Sequence, residues 1–171
     1  ILSFANVLLP RMTTYVKQKD KKSFYSTMVT GLNFSLFISV PVAVISCLLM
    51  SDAIYIFAGG GYEQSVIPTI LLLFALIPIG LTQIIGVQVL TPLKREKQVL
   101  ISVIIGAALN LILNFVLIPA VGVVGAAAAT LAAEIAVLIV QCLFAKDLLT
   151  DAFKDIHLAK YACSALLSIF V

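Results

Sequence analysis

Long apolar runs separated by short polar segments dominate the pattern of this sequence. Four of these runs reach the roughly 20 residues that a helix needs to cross a hydrocarbon core about 30 Å thick. They are continuous and do not alternate with polar residues, as is typical of membrane-spanning helices and not of barrel strands. The pattern predicts an all-α, polytopic membrane helix bundle forming one membrane domain over residues 1–171, with apolar tracts at 1–9, 31–50, 66–91, 99–118, 121–145 and 157–171.

The first and last tracts are too short to cross a membrane. The chain also opens inside an apolar stretch without Met. We therefore expect this sequence to be a fragment of a longer protein.

Composition excludes a soluble globular class, because 62% of the residues are hydrophobic and only 11% are charged. All 11 Lys and Arg residues fall in three connections, at 10–30, 92–98 and 146–160, and the alternate connections carry none. Basic connections are retained in the cytoplasm, so these three are predicted to be cytoplasmic. Because the basic residues are spread between spans and form no basic domain, no nucleic-acid partner is expected.

Glu134 lies near the centre of the fifth tract. An ionisable side chain there costs at least about 2.5 kcal/mol on insertion scales and usually marks a functional pathway. Thr130 and Gln141 share its helical face within about 60°. The alternative is that the carboxyl group only holds two helices together.

Polar and small residues recur every four positions in the fourth tract, at Ser102, Gly106, Asn110 and Asn114. This stripe is predicted to face protein or a water-filled cavity, and its amides either bridge helices or contact substrate. Gln88, nearer the basic connection, is expected to be solvated. The candidate substrate-pathway residues are Gln83, Asn110, Asn114, Thr130 and Glu134.

The last two complete tracts are separated by a short connection, predicted to turn near Ala120. Counting outward from that turn places Asn110 level with Thr130 and about one helical turn from Glu134. The small residues that follow the turn, in the motif Gly122-x-x-Gly125, allow close approach of the two helices. Glu134 is therefore expected to point into a cavity or a helix junction.

The residue types in this sequence do not favour a catalytic function. One intramembrane Glu and the lone His157 form no nucleophile–base pair, metal cluster or pair of catalytic carboxylates. We expect a protein that is not an enzyme and that requires no cofactor or metal.

Several motifs resemble a known family. These are residues 7–11 (VLLPR), 88–94 (QVLTPLK), 106–119 (GAALNLILNFVLIP) and 122–130 (GVVGAAAAT). They are similar to motifs of bacterial polysaccharide-biosynthesis flippases of the O-antigen and capsule repeat-unit type. Those flippases belong to the multidrug/oligosaccharidyl-lipid/polysaccharide exporter superfamily.

The resemblance implies a fold of two lobes around a central cavity, in which this chain is most of the C-terminal lobe and its partner is a missing N-terminal lobe. It also implies a transporter of the bacterial cytoplasmic membrane, surrounded by membrane lipids, that flips a lipid-linked oligosaccharide repeat unit for surface polysaccharide synthesis. Arg11 at the inner mouth, or the absent lobe, would then meet the substrate's diphosphate. Two alternatives stay open: a cation-coupled drug or metabolite antiporter of the same superfamily, and a membrane scaffold without transport.

Overall fold

The computed structural model describes the backbone of residues 2–155 and the side chains of residues 8–150. Within this part of the chain every regular element is a helix. The predicted tract at 157–171, with His157, lies outside the described residues. The main helices are α1 (Leu2–Gln18), α2 (Lys21–Ala58), α3 (Val66–Thr82), α4 (Glu96–Val121), α5 (Val123–Phe144) and α6 (Lys146–Asp155).

The connection predicted at residues 10–30 is mostly helical. α1 continues through Pro10 to Gln18, and α2 begins only three residues later. Asp20 caps α2, because its carboxylate accepts a hydrogen bond of 3.1 Å from the backbone N–H of Ser23. An apolar tract shows only which part of a helix is suited to lipid. Lys and Gln have a helix propensity close to that of Leu, so a helix can continue into water beyond the end of the tract. The helices therefore extend beyond the tract boundaries.

At 38 residues, α2 is the longest helix. Its length of about 57 Å exceeds the thickness of a bilayer core. Lys21 and Lys22 begin it, and the exposed side chains of Tyr55, Ile56 and Phe57 lie near its other end. Both ends of α2 therefore extend past the hydrocarbon region.

A π-helical segment, Gln83–Leu90, continues α3. Its wider winding shows in the hydrogen bond from the Thr91 backbone N–H to the carbonyl of Gly86, five residues earlier. A short 3₁₀ turn, Glu63–Ser65, precedes α3. The third tract is thus one long helical element with a change of winding in its second half.

α4 and α5 form a helical hairpin whose turn lies at Gly122, two residues later than predicted. α4 runs through Pro119 to Val121, and Gly122 then adopts a φ of +61°. A positive φ is a conformation that favours glycine, so the chain reverses there and not at Pro119.

The connection predicted at residues 146–160 contains α6. Leu149 of α6 is buried in an apolar cluster with Met12, Met28, Ile85 and Leu90. This cluster lies where α1 ends and α2 begins, and we call this part of the molecule the basic end. α6 is helical because its leucines pack against the bundle.

Four helical elements are long and apolar enough to cross a membrane: Lys21–Ala58, Glu63–Leu90, Glu96–Val121 and Val123–Phe144. The prediction of an all-α, polytopic membrane bundle is confirmed for the described residues.

Candidate functional site

A cavity of about 630 Å³ lies between the end of α3 with its π-helical segment, α4 and α5. Its walls are mainly apolar, with Val87, Val103 and Val137 among the lining residues. Three of the five predicted pathway residues line it together: Gln83, Asn110 and Glu134. They come from three different helical elements, so only the folded bundle brings them to one place.

Glu134 lines this cavity from the middle of α5 and is half-buried. The prediction that it faces a cavity is confirmed. Within the described part of the chain, its carboxyl group makes no hydrogen bond or ion pair with another side chain. Among the described residues, Glu134 therefore presents a polar group without a side-chain partner inside an apolar span.

Asn110, Asn114 and Thr130 form a short hydrogen-bonded network beside the cavity. Asn114 Nδ2 donates to Asn110 Oδ1 at 2.6 Å, and Asn110 Nδ2 lies 3.4 Å from Thr130 Oγ1. The Thr130 hydroxyl in turn donates to the carbonyl of Ala126 at 3.0 Å. The prediction that Asn110 lies level with Thr130 is confirmed, and this network bridges α4 to α5.

A second bridge between the hairpin helices lies about two turns nearer the basic end. Gln141 Nε2 donates to Ser102 Oγ at 3.2 Å, and both side chains are fully buried. Gly86 of the π-helical segment faces this amide: a Cβ at position 86 would lie 2.8 Å from Gln141 Nε2. The glycine therefore makes room for a buried amide where three helical elements meet.

Two further glycines bring α4 and α5 into close contact. A Cβ on Gly106 would overlap the side chain of Val137, and one on Gly125 would overlap the backbone of Leu117. Ser102 and Gly106 are buried, as predicted for the stripe on α4. The two bridges and these glycines fix an antiparallel register that sets Glu134 opposite the Gly106 and Asn110 levels.

The remaining predicted residues lie elsewhere. Asn114 lines a separate, shallower cavity of about 330 Å³ near Pro119. Arg11 is exposed on α1 and is not among the residues lining the three-helix cavity. The expectation that Gln88 is solvated is wrong: only 1% of it is exposed, and neither amide atom has a hydrogen-bond partner among the described residues. Gln88 belongs to the π-helical segment, and that segment packs against α1 and α2.

An ion pair at the basic end was not predicted. Arg95 makes a bidentate pair with Asp147, with distances of 3.1 and 2.8 Å, and donates to the carbonyl of Phe144 at 3.2 Å. The carboxylate raises the pKa of Arg95, and the guanidinium lowers the pKa of Asp147 below its ordinary value. Sequence counting treated Arg95 only as a basic residue of a connection, and only the fold places it beside the end of α5.

A model of one protein family, described as "Lipid II flippase MurJ", matches residues 1–171, the whole chain. No curated protein matches the chain significantly. No solved structure matches it significantly either.

Proposed function

The chain belongs to the lipid II flippase family MurJ, and from that premise we propose that it is part of a transporter moving lipid II across the inner membrane. The family is one of lipid-linked oligosaccharide flippases, which are transporters and not enzymes. Four helices able to span a membrane agree with a multi-pass protein.

The observation that carries the proposal is the convergence of Gln83, Asn110 and Glu134 on one cavity inside apolar helices. Polar side chains within spans are costly and usually mark a substrate path. Gln141 Nε2 donates to Ser102 across the hairpin, whereas Glu134 lines the cavity without a side-chain partner among the described residues. Glu134 is left available to a ligand.

The chemistry of these groups suits a saccharide. Amides donate and accept hydrogen bonds, and a carboxylate accepts from hydroxyl groups. A cavity of about 630 Å³ is within the size range of small-molecule sites. We assign it to one sugar-sized part of the headgroup, with the rest contacting other surfaces of the transporter.

The diphosphate of the substrate needs a cationic partner. The tracts at 31–50, 66–91, 99–118 and 121–145 contain no Lys or Arg. We assign this role to Arg11 or to an N-terminal lobe, with the basic end of the bundle in the cytoplasm. Transport would then proceed by alternating access, in which one lobe rocks against the other around the site.

A repeat unit of a surface polysaccharide on the same kind of lipid carrier is the second candidate substrate. It shares the diphosphate and the saccharide, and the motifs of residues 106–130 favour it. We place lipid II first because the matching family model carries that substrate in its description.

Substitution of Glu134 by Gln tests the proposal. In proteoliposomes that carry the whole transporter, we expect E134Q to lower the rate of lipid II translocation at least tenfold, because the carboxylate is lost while shape is kept. Translocation of fluorescent lipid II is measured beside that of a lipid-diphosphate-linked polysaccharide repeat unit. The preferred substrate is the one that the unmodified protein moves faster.

Glu63 provides the matched control, since it is exposed in the connection before α3 and Glu63→Gln makes the same chemical change. E63Q should transport normally. Full transport by E134Q, with normal membrane abundance, would remove Glu134 from the pathway. Failure of the unmodified protein to move either lipid would overturn the proposed function.

A further inference from the structure

A second cavity, of about 560 Å³, lies at the basic end, separate from the three-helix cavity. It opens between the turn that joins α1 to α2, the connection before α4 and the start of α6. Its polar rim contains Lys19, Asp20, Lys21 and Asp147. We call it the basic-end cavity.

The two carboxylates on this rim are already engaged. Asp20 accepts from the backbone N–H of Ser23 and caps α2. Asp147 is held in the bidentate pair with Arg95. The charge of Asp147 is therefore offset by Arg95, whereas Asp20 keeps its negative charge on the rim.

The rim keeps a net positive charge, because Lys19 and Lys21 together outweigh Asp20. Lys19 and Lys21 are exposed, and in the described residues neither forms an ion pair. Lys17 and Lys22 belong to the same segment but do not line the cavity. The mouth of the cavity is therefore positively charged.

The interior of the cavity is apolar. Val16, Phe24, Met28, Leu93 and Leu148 line it. Tyr15 and Tyr25 also line it, and tyrosine is common at the boundary between hydrocarbon and headgroups. A ligand that matches both parts carries a negative headgroup joined to a hydrocarbon chain.

We propose that the basic-end cavity binds an anionic glycerophospholipid of the adjacent leaflet, with its phosphate between Lys19 and Lys21 and the start of one acyl chain on the apolar floor. Charge complementarity selects this occupant, because Arg95 offsets Asp147 and the two rim lysines outweigh Asp20. The cavity lies at the ends of the spanning helices, where such headgroups are found. The inference does not depend on the substrate that the transporter moves.

The test compares lipid binding by the purified protein and by three double variants. Native mass spectrometry counts bound phosphatidylglycerol, with phosphatidylcholine of the same acyl chains as the neutral comparison. Neutralising both rim lysines (K19Q/K21Q) should weaken phosphatidylglycerol binding about 30-fold, because each lysine near anionic lipid typically contributes about 1 kcal/mol. The variant K19R/K21R keeps both positive charges and should bind phosphatidylglycerol as the unmodified protein does.

K17Q/K22Q is the matched control, since it removes the same charge from the same segment outside the cavity. It should keep phosphatidylglycerol binding within about twofold. Equal losses in K19Q/K21Q and K17Q/K22Q would overturn the proposal in favour of general attraction to a basic surface. Equal binding of the two lipids by the unmodified protein would overturn it as well.

A third arm distinguishes a lipid from a free phosphate compound. Glycerol 3-phosphate presents the phosphate without acyl chains, so it should not displace phosphatidylglycerol at equal concentration. Displacement at equal concentration would show that the apolar floor contributes nothing, and would contradict a lipid site.

Discussion

At the basic end of the bundle, side chains from α1, α2, the π-helical segment and α6 exclude solvent together, whereas most side chains around the Gly122 turn are exposed. Leu90 and Ala145 are fully buried at the basic end, and Phe115 and Val123 near the turn are 75% and 73% exposed. The three-helix cavity lies between these two regions. The difference indicates a firmly packed base and a more open region around the turn of the α4–α5 hairpin.

This difference separates two kinds of residue. Substitutions in the packed region should change stability, whereas substitutions in the cavity should change transport. The hairpin is the informative case, because its two helices meet through glycine contacts and two hydrogen-bonded bridges, while α5 also packs against α3.

The largest effect is expected at Gly125. Replacing it by Ala adds only a Cβ, which overlaps the backbone of Leu117 and cannot be relieved by a rotamer change. We expect G125A to lower the free energy of unfolding by about 2 kcal/mol. The measurement is thermal unfolding of the purified protein followed by circular dichroism at 222 nm.

Two other glycines calibrate this result. At Gly106 the added Cβ meets the side chain of Val137, which can move, so G106A should cost less than G125A. At Gly60 nothing lies within 4 Å, so G60A should be neutral or slightly stabilising. A G125A protein as stable as G60A would show that the hairpin does not depend on close contact at the turn.

The buried bridge between Gln141 and Ser102 should have the next largest effect. S102A leaves the Gln141 amide buried without its partner, and this should cost about 1–2 kcal/mol. The double variant S102A/Q141L removes both polar groups and should be closer to the unmodified protein. Ser46→Ala, on half-buried Ser46 of α2, is the control for loss of a serine hydroxyl. A double variant less stable than S102A would show that the amide packs favourably against Gly86 by itself.

Much of the fold could be predicted from the sequence, because a span must bury its backbone in a helix and must be apolar toward lipid. The relation of Asn110 to Thr130 followed from helical spacing on both sides of a turn. Helix ends were harder to place, since Pro119 fits the last turn of α4 and only the backbone at Gly122 reverses the chain. The apolar tract alone therefore gave the wrong turn position.

The parts that could not be predicted depend on contacts distant in sequence. Gln88 is buried because the π-helical segment turns it away from solvent. The residue pattern of 83–90 did not predict a π-helix. Gly86 looked like an ordinary helical glycine until the fold placed Gln141 against it. Arg95 and Asp147 are 52 residues apart, so their pairing becomes visible only when α5 and α6 are in place.

The smallest effect is expected for the ion pair at the basic end. The side chains of Arg95 and Asp147 are 33% and 55% exposed, so solvent weakens their attraction, and the pair should contribute about 0.5–1 kcal/mol. Arg95 also donates to the last turn of α5 at Phe144, so R95Q should cost more than D147N.

Because Arg95 lowers the pKa of Asp147, the stabilisation is present above the ordinary carboxyl range and is lost as pH falls through that lowered pKa. A double-mutant cycle at pH 7 and pH 3 measures this coupling, with K94Q as the control for loss of a neighbouring charge. Coupling near zero at both pH values would show that apolar packing alone holds α6 on the bundle.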